Sequence, residues 1–105
     1  MKGELQSLQA ELMAALGHPN RVKIVDFLRS GERCVCEIVP ALGLEQSNLS
    51  RHLKALREVG ILESRKEGVS VYYKVSDPRI FKLLDLSTGI IKREIKSRFR
   101  ILTTV

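Results

Sequence analysis

Residues 45–59 read EQSNLSRHLKALREV, and the architecture of the chain shows most clearly here. Leu49, Leu53 and Leu56 recur at spacings of four and three, which aligns them on one stripe of an α-helix. Ser50, Arg51, Lys54 and Arg57 fall largely on the other side. Gly43-Leu44 supplies a tight turn before this helix, and Gly60 stops it. A helix that enters a DNA major groove needs small polar residues at its start, to approach base edges, and cations further along, to meet phosphates. Gln46, Ser47, Asn48 and Ser50 fit the first requirement, and Arg51, Lys54 and Arg57 the second. For His52 two readings stand: a phosphate contact, or packing where the helix meets the body of the domain.

Downstream the hydrophobic period changes. The runs 61–66 (ILESRK) and 69–75 (VSVYYKV) flank Glu67-Gly68 and read as a β-hairpin. Tyr72 and Tyr73 alternate on its second strand, so one packs inward and the other faces out. Asp77-Pro78 then supplies a cap and a first-turn proline for a last helix to about residue 97. That helix carries Ile80, Leu83, Leu84, Ile90, Ile91 and Ile95.

Upstream, Leu5, Leu8, Leu12 and Leu16 mark an amphipathic helix that ends at Gly17. Pro19 opens a second helix with Val22, Val25, Phe27 and Leu28, closed by Ser30-Gly31. A third helix ends near Leu42. Pro40 would clash with the carbonyl of Cys36, so this helix either starts late, near Cys36 or Glu37, or is distorted. The expected fold is mostly α with a β-hairpin wing, in the order α-α-α-α-β-β-α. That is a winged helix-turn-helix, with residues 1–105 as a single domain.

Composition bounds the function. The chain has 105 residues with 18 Lys and Arg against 12 Asp and Glu, a formal charge of +6 that favours polyanionic partners. Most of this excess lies in residues 92–100 (KREIKSRFR), five basic against one acidic, whereas residues 45–74 hold six basic against four acidic. The tail segment reads as a solvated or frayed end, with phosphate contact as the alternative. No run of apolar residues is long enough to cross a membrane, and the first residues lack a signal-peptide core, so a cytoplasmic protein is expected. There is no Gly-rich phosphate loop, nucleophile motif or paired acid and base, which argues against an enzyme and against a required cofactor.

The stretch QSNLSRHLKALREVGIL resembles the recognition helix and following strand of the ArsR/SmtB family of bacterial and archaeal repressors. HPNRVKIVDFLRSGERCVCEI resembles the same family's second and third helices. The resemblance runs from about residue 8 to 95. It implies a homodimer made by the first and last helices, bound to an imperfect palindrome of double-stranded operator DNA and released by an inducer. It also implies that Arg65 and Lys66, near the wing turn, touch phosphate or the minor groove. As a reading of the residues alone, they equally suit a charged strand end that keeps an edge soluble. A winged helix that binds protein instead of DNA is the alternative of another class.

Cys34-Val35-Cys36-Glu37 is the second informative stretch. Two cysteines this close, in a cytoplasmic setting, suggest a metal or redox site before a structural disulfide, and a bridge between residues two apart is expected to be strained. The motif resembles the arsenic-sensing branch of the family, which implies thiolate binding of As(III) or Sb(III) at Cys34 and Cys36 as the inducing event. On a regular helix the two side chains diverge by roughly 200°, whereas in an extended segment they share a face. Ion binding is therefore expected to favour an extended 34–36 and to tilt the helix-turn-helix that follows. The branch often carries a third cysteine three residues after the second; here that position is Val39. Thiol oxidation or persulfide formation at the same pair is the other inducing chemistry, and a pair without a sensing role is the third reading. The last helix offers Asp85 and Glu94 but no histidine, which rules out the zinc and nickel site of other branches. His18, beside Pro19, reads as a residue of the helix start rather than a ligand.

Overall fold

A computed structural model describes residues 3–103. Five α-helices appear in it: α1 (Leu5–Leu16), α2 (Pro19–Phe27), α3 (Val35–Leu42), α4 (Gln46–Glu58) and α5 (Arg79–Thr103). A 3-10 turn, Leu28–Ser30, follows α2. The strands are β1 (Arg33–Cys34), β2 (Leu62–Glu67) and β3 (Ser70–Val75). The chain thus forms the expected mostly helical winged helix-turn-helix, with one element that periodicity did not announce. Arg33 and Cys34 pair antiparallel with Tyr73 and Tyr72, so the wing is a three-stranded sheet in the order β1-β3-β2. A strand of two residues is too short for an alternation to be seen.

The core gathers one side chain or more from nearly every element. Ile24 and Val25 of α2, Ile38 of α3, and Leu49, Leu53 and Leu56 of α4 are buried together with Ile61, Leu62, Tyr73 and Ile80. Tyr73 is the inward member of the tyrosine pair. Its neighbour Tyr72 is half-buried beneath the Arg65 guanidinium, 4.5 Å from the ring centroid. Between α3 and α4, Gly43 adopts φ 63° and its N–H donates to the Val39 carbonyl at 3.1 Å. This left-handed cap lets the chain turn within a few residues, at low cost only for glycine.

Two helix ends differ from the sequence expectation. α3 begins at Val35, earlier than Cys36 or Glu37, and retains Pro40 within it. Cys34 caps it: the Cys36 N–H donates to Cys34 Sγ at 3.1 Å, and the Cys34 N–H donates to Glu37 Oε1 at 3.1 Å. These bonds satisfy groups that a helix start leaves open, which compensates for what proline removes downstream. The second difference is at the far end. Residues 92–100 continue α5 as regular helix to Thr103 instead of fraying. At the start of α5 the Asp77 carboxylate accepts the Arg79 N–H at 2.9 Å and the Arg79 guanidinium at 2.6 Å, which holds the Asp77 pKa down at about 2.

α5 gives the molecule its shape. The radius of gyration is 16.6 Å, against about 13 Å for a compact chain of this length. The first turns of α5 dock through Ile80, Phe81, Leu83 and Leu84. Arg29 supports them, donating to Asp85 at 2.8 Å and lying over the Phe81 ring. Beyond Leu84 the helix leaves the body.

Candidate nucleic-acid interface and thiol corner

α4 is held by its apolar stripe and presents the rest. Leu49, Leu53 and Leu56 are fully buried, whereas Gln46, Ser47, Ser50, Arg51, Lys54 and Arg57 are exposed and Asn48 is half-buried. Several of these side chains are pre-positioned. Ser47 Oγ donates to Glu45 Oε1 at 2.7 Å, Arg51 donates to Asn48 Oδ1 at 2.6 Å, and Arg57 donates to Ser64 Oγ at 3.2 Å. The last contact ties the C-terminal turn of α4 to β2.

His52 does not share the exposed face. It is only 7% exposed, its Nδ1 accepts from Arg21 Nε at 3.1 Å, and its ring lies 4.5 Å from that of His18. Of its two readings the structure therefore supports packing, with the ring covered by Arg21 of α2 and by His18 at the start of that helix. Burial, followed by the nearby His18, Arg21 and Arg51, pushes the His52 pKa below the ordinary histidine value, so the ring stays neutral and can accept. His18 sits at the start of α2, where its Nδ1 accepts the Asn20 N–H.

At the wing, Arg65 and Lys66 part company. Arg65 makes a two-pronged bond to Glu32, at 3.0 and 2.8 Å, and reaches Glu67 at 3.0 Å. Both carboxylates stabilise its charge, and Arg65 in turn pulls the Glu32 pKa down. Its guanidinium is thus engaged in joining β2 to the segment before β1, on an exposed surface beside the wing turn. Glu32 carried no recognisable signal, since its partner lies 33 residues away. Lys66 remains exposed beside the turn, and at the tip Val69 is 99% exposed.

Cys34 and Cys36 are brought together where β1 passes into α3, and their sulfurs are joined as a disulfide. Their Cα atoms are 5.1 Å apart, inside the usual span for such a bond. The reason is that Cys34 is extended (φ −72°, ψ 146°) while Val35 and Cys36 are already helical. In the chain as folded, one extended residue, Cys34, is enough to bring the two sulfurs together. As a disulfide the pair has no thiolate to offer a metal or metalloid. Among the described residues no group of three or more His, Cys, Asp or Glu side chains is arranged to hold an ion. Val39, half-buried, stands one turn along α3 from Cys36.

The fold and the sequence around α4 have recognisable counterparts. Residues 18–64 match the family described as bacterial regulatory protein, arsR family. The uncharacterized HTH-type transcriptional regulator Rv0081 of Mycobacterium tuberculosis is 34% identical over 99 residues, covering 93% of this chain and 87% of the relative. Its crystal structure superposes with a TM-score of 0.81 over 92% of this chain and 98% of that one. The chain belongs to the ArsR/SmtB family. This ArsR/SmtB protein is accordingly a DNA-binding transcriptional regulator and not an enzyme. A solution structure of Mb0332 from Mycobacterium bovis, described as a homodimeric winged helix-turn-helix DNA-binding domain, is 29% identical with a TM-score of 0.78, over 92% of this chain and 95% of that one. The arsenic resistance transcriptional regulator ArsR1 of Pseudomonas putida is 55% identical over 47 residues, 45% of this chain and 37% of that protein. Among the described residues of this ArsR/SmtB protein, no helix is long and apolar enough to cross a membrane.

Proposed function

We propose that this protein is a homodimeric repressor that lays α4 of each subunit in the major groove of a palindromic operator, and that a thiophilic metalloid such as arsenite or antimonite releases it by binding reduced Cys34 and Cys36. Gln46, Ser47, Asn48 and Ser50 meet base edges, Arg51, Lys54 and Arg57 meet phosphates, and Lys66 adds a contact at the wing. Leu5, Leu8 and Met13 on α1 and Leu86, Ile90, Ile91 and Ile95 on α5 are exposed in the single chain, and this apolar surface, which pairing with a second copy would bury, supports the dimer.

The observation that carries the inducer reading is the meeting of the two cysteine sulfurs at the first residue of α3, directly before the helix-turn-helix. A ligand that spans both sulfurs acts on the element that sets the angle of α4, and so selects a conformation that fits DNA less well. The similarity to an arsenic resistance regulator supports the same reading. The test is an operator-binding titration of the reduced protein with and without arsenite. Arsenite is expected to lower affinity in the wild type and to have no effect in Cys34→Ser or Cys36→Ser, both of which still bind. Unchanged induction in the double variant overturns the inducer reading. Absence of any salt-dependent DNA affinity overturns the repressor reading and points to a protein-interaction module.

The disulfide itself favours a second inducing chemistry, oxidation or persulfide formation at the same pair. Mass spectrometry after mild oxidation, alongside the operator titration, separates the two: a redox switch releases DNA with no metalloid present.

A further inference from the structure

Arg21, near the start of α2, is half-buried where three helices meet. Its Nε donates to Nδ1 of His52 on α4 at 3.1 Å, and its Nη1 donates to the Ala15 carbonyl at 3.3 Å. That carbonyl belongs to the last turn of α1, where a helix leaves acceptors without partners and a positive charge is favoured. One guanidinium therefore closes the end of α1 and holds the middle of α4. α1 carries Leu5, Leu8 and Met13 of the apolar surface assigned above to the dimer, and α4 carries the residues assigned to the DNA. The sequence gave no sign of this link, since Arg21 and His52 lie 31 residues apart.

What such a link can do follows from its direction. Leu49, Leu53 and Leu56 press α4 onto the core, but apolar burial is non-directional and lets a helix roll or slide a little. Hydrogen bonds weaken steeply as they bend, and a guanidinium fixes both of its own in one plane. A two-fold dimer on a palindrome needs its two reading helices at a set separation and rotation, one DNA turn or a multiple apart. We propose that Arg21 is a positioning residue that ties the angle of α4 to the dimer helix α1, so that the protein recognises the spacing of two half-sites, and that it does so only while His52 is uncharged. The proposal rests on the dimeric repressor reading given above and names the residue that sets its geometry.

The condition on His52 comes from its geometry. Nδ1 accepts from Arg21 only as part of a neutral ring; a protonated ring carries N–H on both nitrogens and sets donor against donor and cation against cation. The groups that face the ring are His18 and Arg21 from the α2 side and Arg51 on α4 itself, and none of these is a carboxylate that could offset a new charge. Burial and these neighbours hold the His52 pKa below its ordinary value. The link is therefore intact at neutral pH and is lost as the pH falls through that lowered value.

The experiment uses the full chain and a palindrome selected with it from random duplexes. The other probes are the single half-site and palindromes with one base pair added or removed between the half-sites, which turns one half-site by roughly a tenth of a turn. A ratio between spacings cancels the general gain in DNA affinity that any added positive charge brings. At neutral pH the wild type is expected to prefer the selected spacing by about tenfold. Arg21→Met, which keeps the bulk and loses both hydrogen bonds, should hold its single half-site affinity within about threefold, stay dimeric by sedimentation, and lose most of that spacing preference. At pH about 5 the wild type should behave as Arg21→Met does. His52→Asn, whose Oδ1 stands where Nδ1 stood and does not titrate, should keep the preference at both pH values, and this arm holds even where Arg21→Met fails to fold. A spacing preference intact in Arg21→Met or in the acidified wild type overturns the proposal and leaves the dimeric reading standing. So does a preference that wild type and His52→Asn lose alike in acid. A wild type that binds the single half-site as tightly as the palindrome overturns both.

Discussion

α4 and α5 are both amphipathic helices, but only one of them is satisfied by its own chain. In α4 every leucine of the stripe is buried: Leu49, Leu53 and Leu56 are at most 1% exposed. In α5 the stripe changes character after Leu84, and Leu86, Ile90, Ile91, Ile95 and Phe99 are each more than half exposed. The same pattern of residues thus has two structural outcomes. A helix of 13 residues fits inside the span of a small domain, whereas one of 25 residues, about 38 Å long, projects beyond it. α4 is held by its own chain, whereas the apolar stripe of α5 beyond Leu84 is left uncovered by it, and that is the surface the proposed dimer would bury.

The largest expected effect tests the satisfied side. Leu53→Ala removes a core side chain and should cost about 2–5 kcal/mol in urea unfolding. Ile91→Ala, measured under dilute conditions where the chain is monomeric, should cost no more than about 0.5 kcal/mol. Equal losses would break the contrast between the two helices.

Next comes the unsatisfied side. Ile91→Glu combined with Ile95→Glu should turn a dimer into monomers by sedimentation, without loss of helical circular dichroism. Operator affinity should fall by at least about tenfold, because two half-site contacts no longer reinforce one another. A dimer that survives this pair of charges would show that the interface lies elsewhere.

A smaller effect sharpens the distinction between the two basic surfaces. Lys54→Ala on α4 should weaken binding to all sequences alike and reduce the slope of log affinity against log salt by about 1. Lys92→Ala on α5 should leave that slope unchanged. If the two variants behave alike, the basic stretch of α5 shares in DNA contact.

The smallest effect concerns how α4 is moored. His52 has a lowered pKa in the fold, mainly through burial, so the unfolded chain takes up a proton at a higher pH than the folded one. The His52 contribution to stability is therefore present above the unfolded value of about 6.5 and is lost as pH falls below it. Wild type should lose more stability than His52→Gln between neutral pH and pH about 5, measured by chemical denaturation. Equal pH dependence would show that the Arg21–His52 bond does not rely on a neutral ring.

Much of this was legible in the residues. The leucine spacing of 45–59, the glycines at 43 and 60 and the change of period after Ile61 specify a winged helix-turn-helix, because such signals are local and repeat within one element. The exposed polar face of α4 could be listed in advance for the same reason. What could not be read were relations between distant segments. β1 exists only because β3 pairs with it. Arg65 is engaged only because Glu32 lies alongside, and His52 is buried only because α2 crosses α4 at Arg21.

The cysteine motif divides in the same way. The sequence by itself established that two thiols stand two residues apart before a helix-turn-helix, and that no third cysteine follows at Val39. Only the tertiary structure decided that one extended residue at the head of α3 lets the sulfurs meet, and that α3, α4 and the wing leave a groove beside them. Spacing along a chain governs which side chains share a face of one element. The space between elements depends on how they pack, and that is settled only once the whole core has closed.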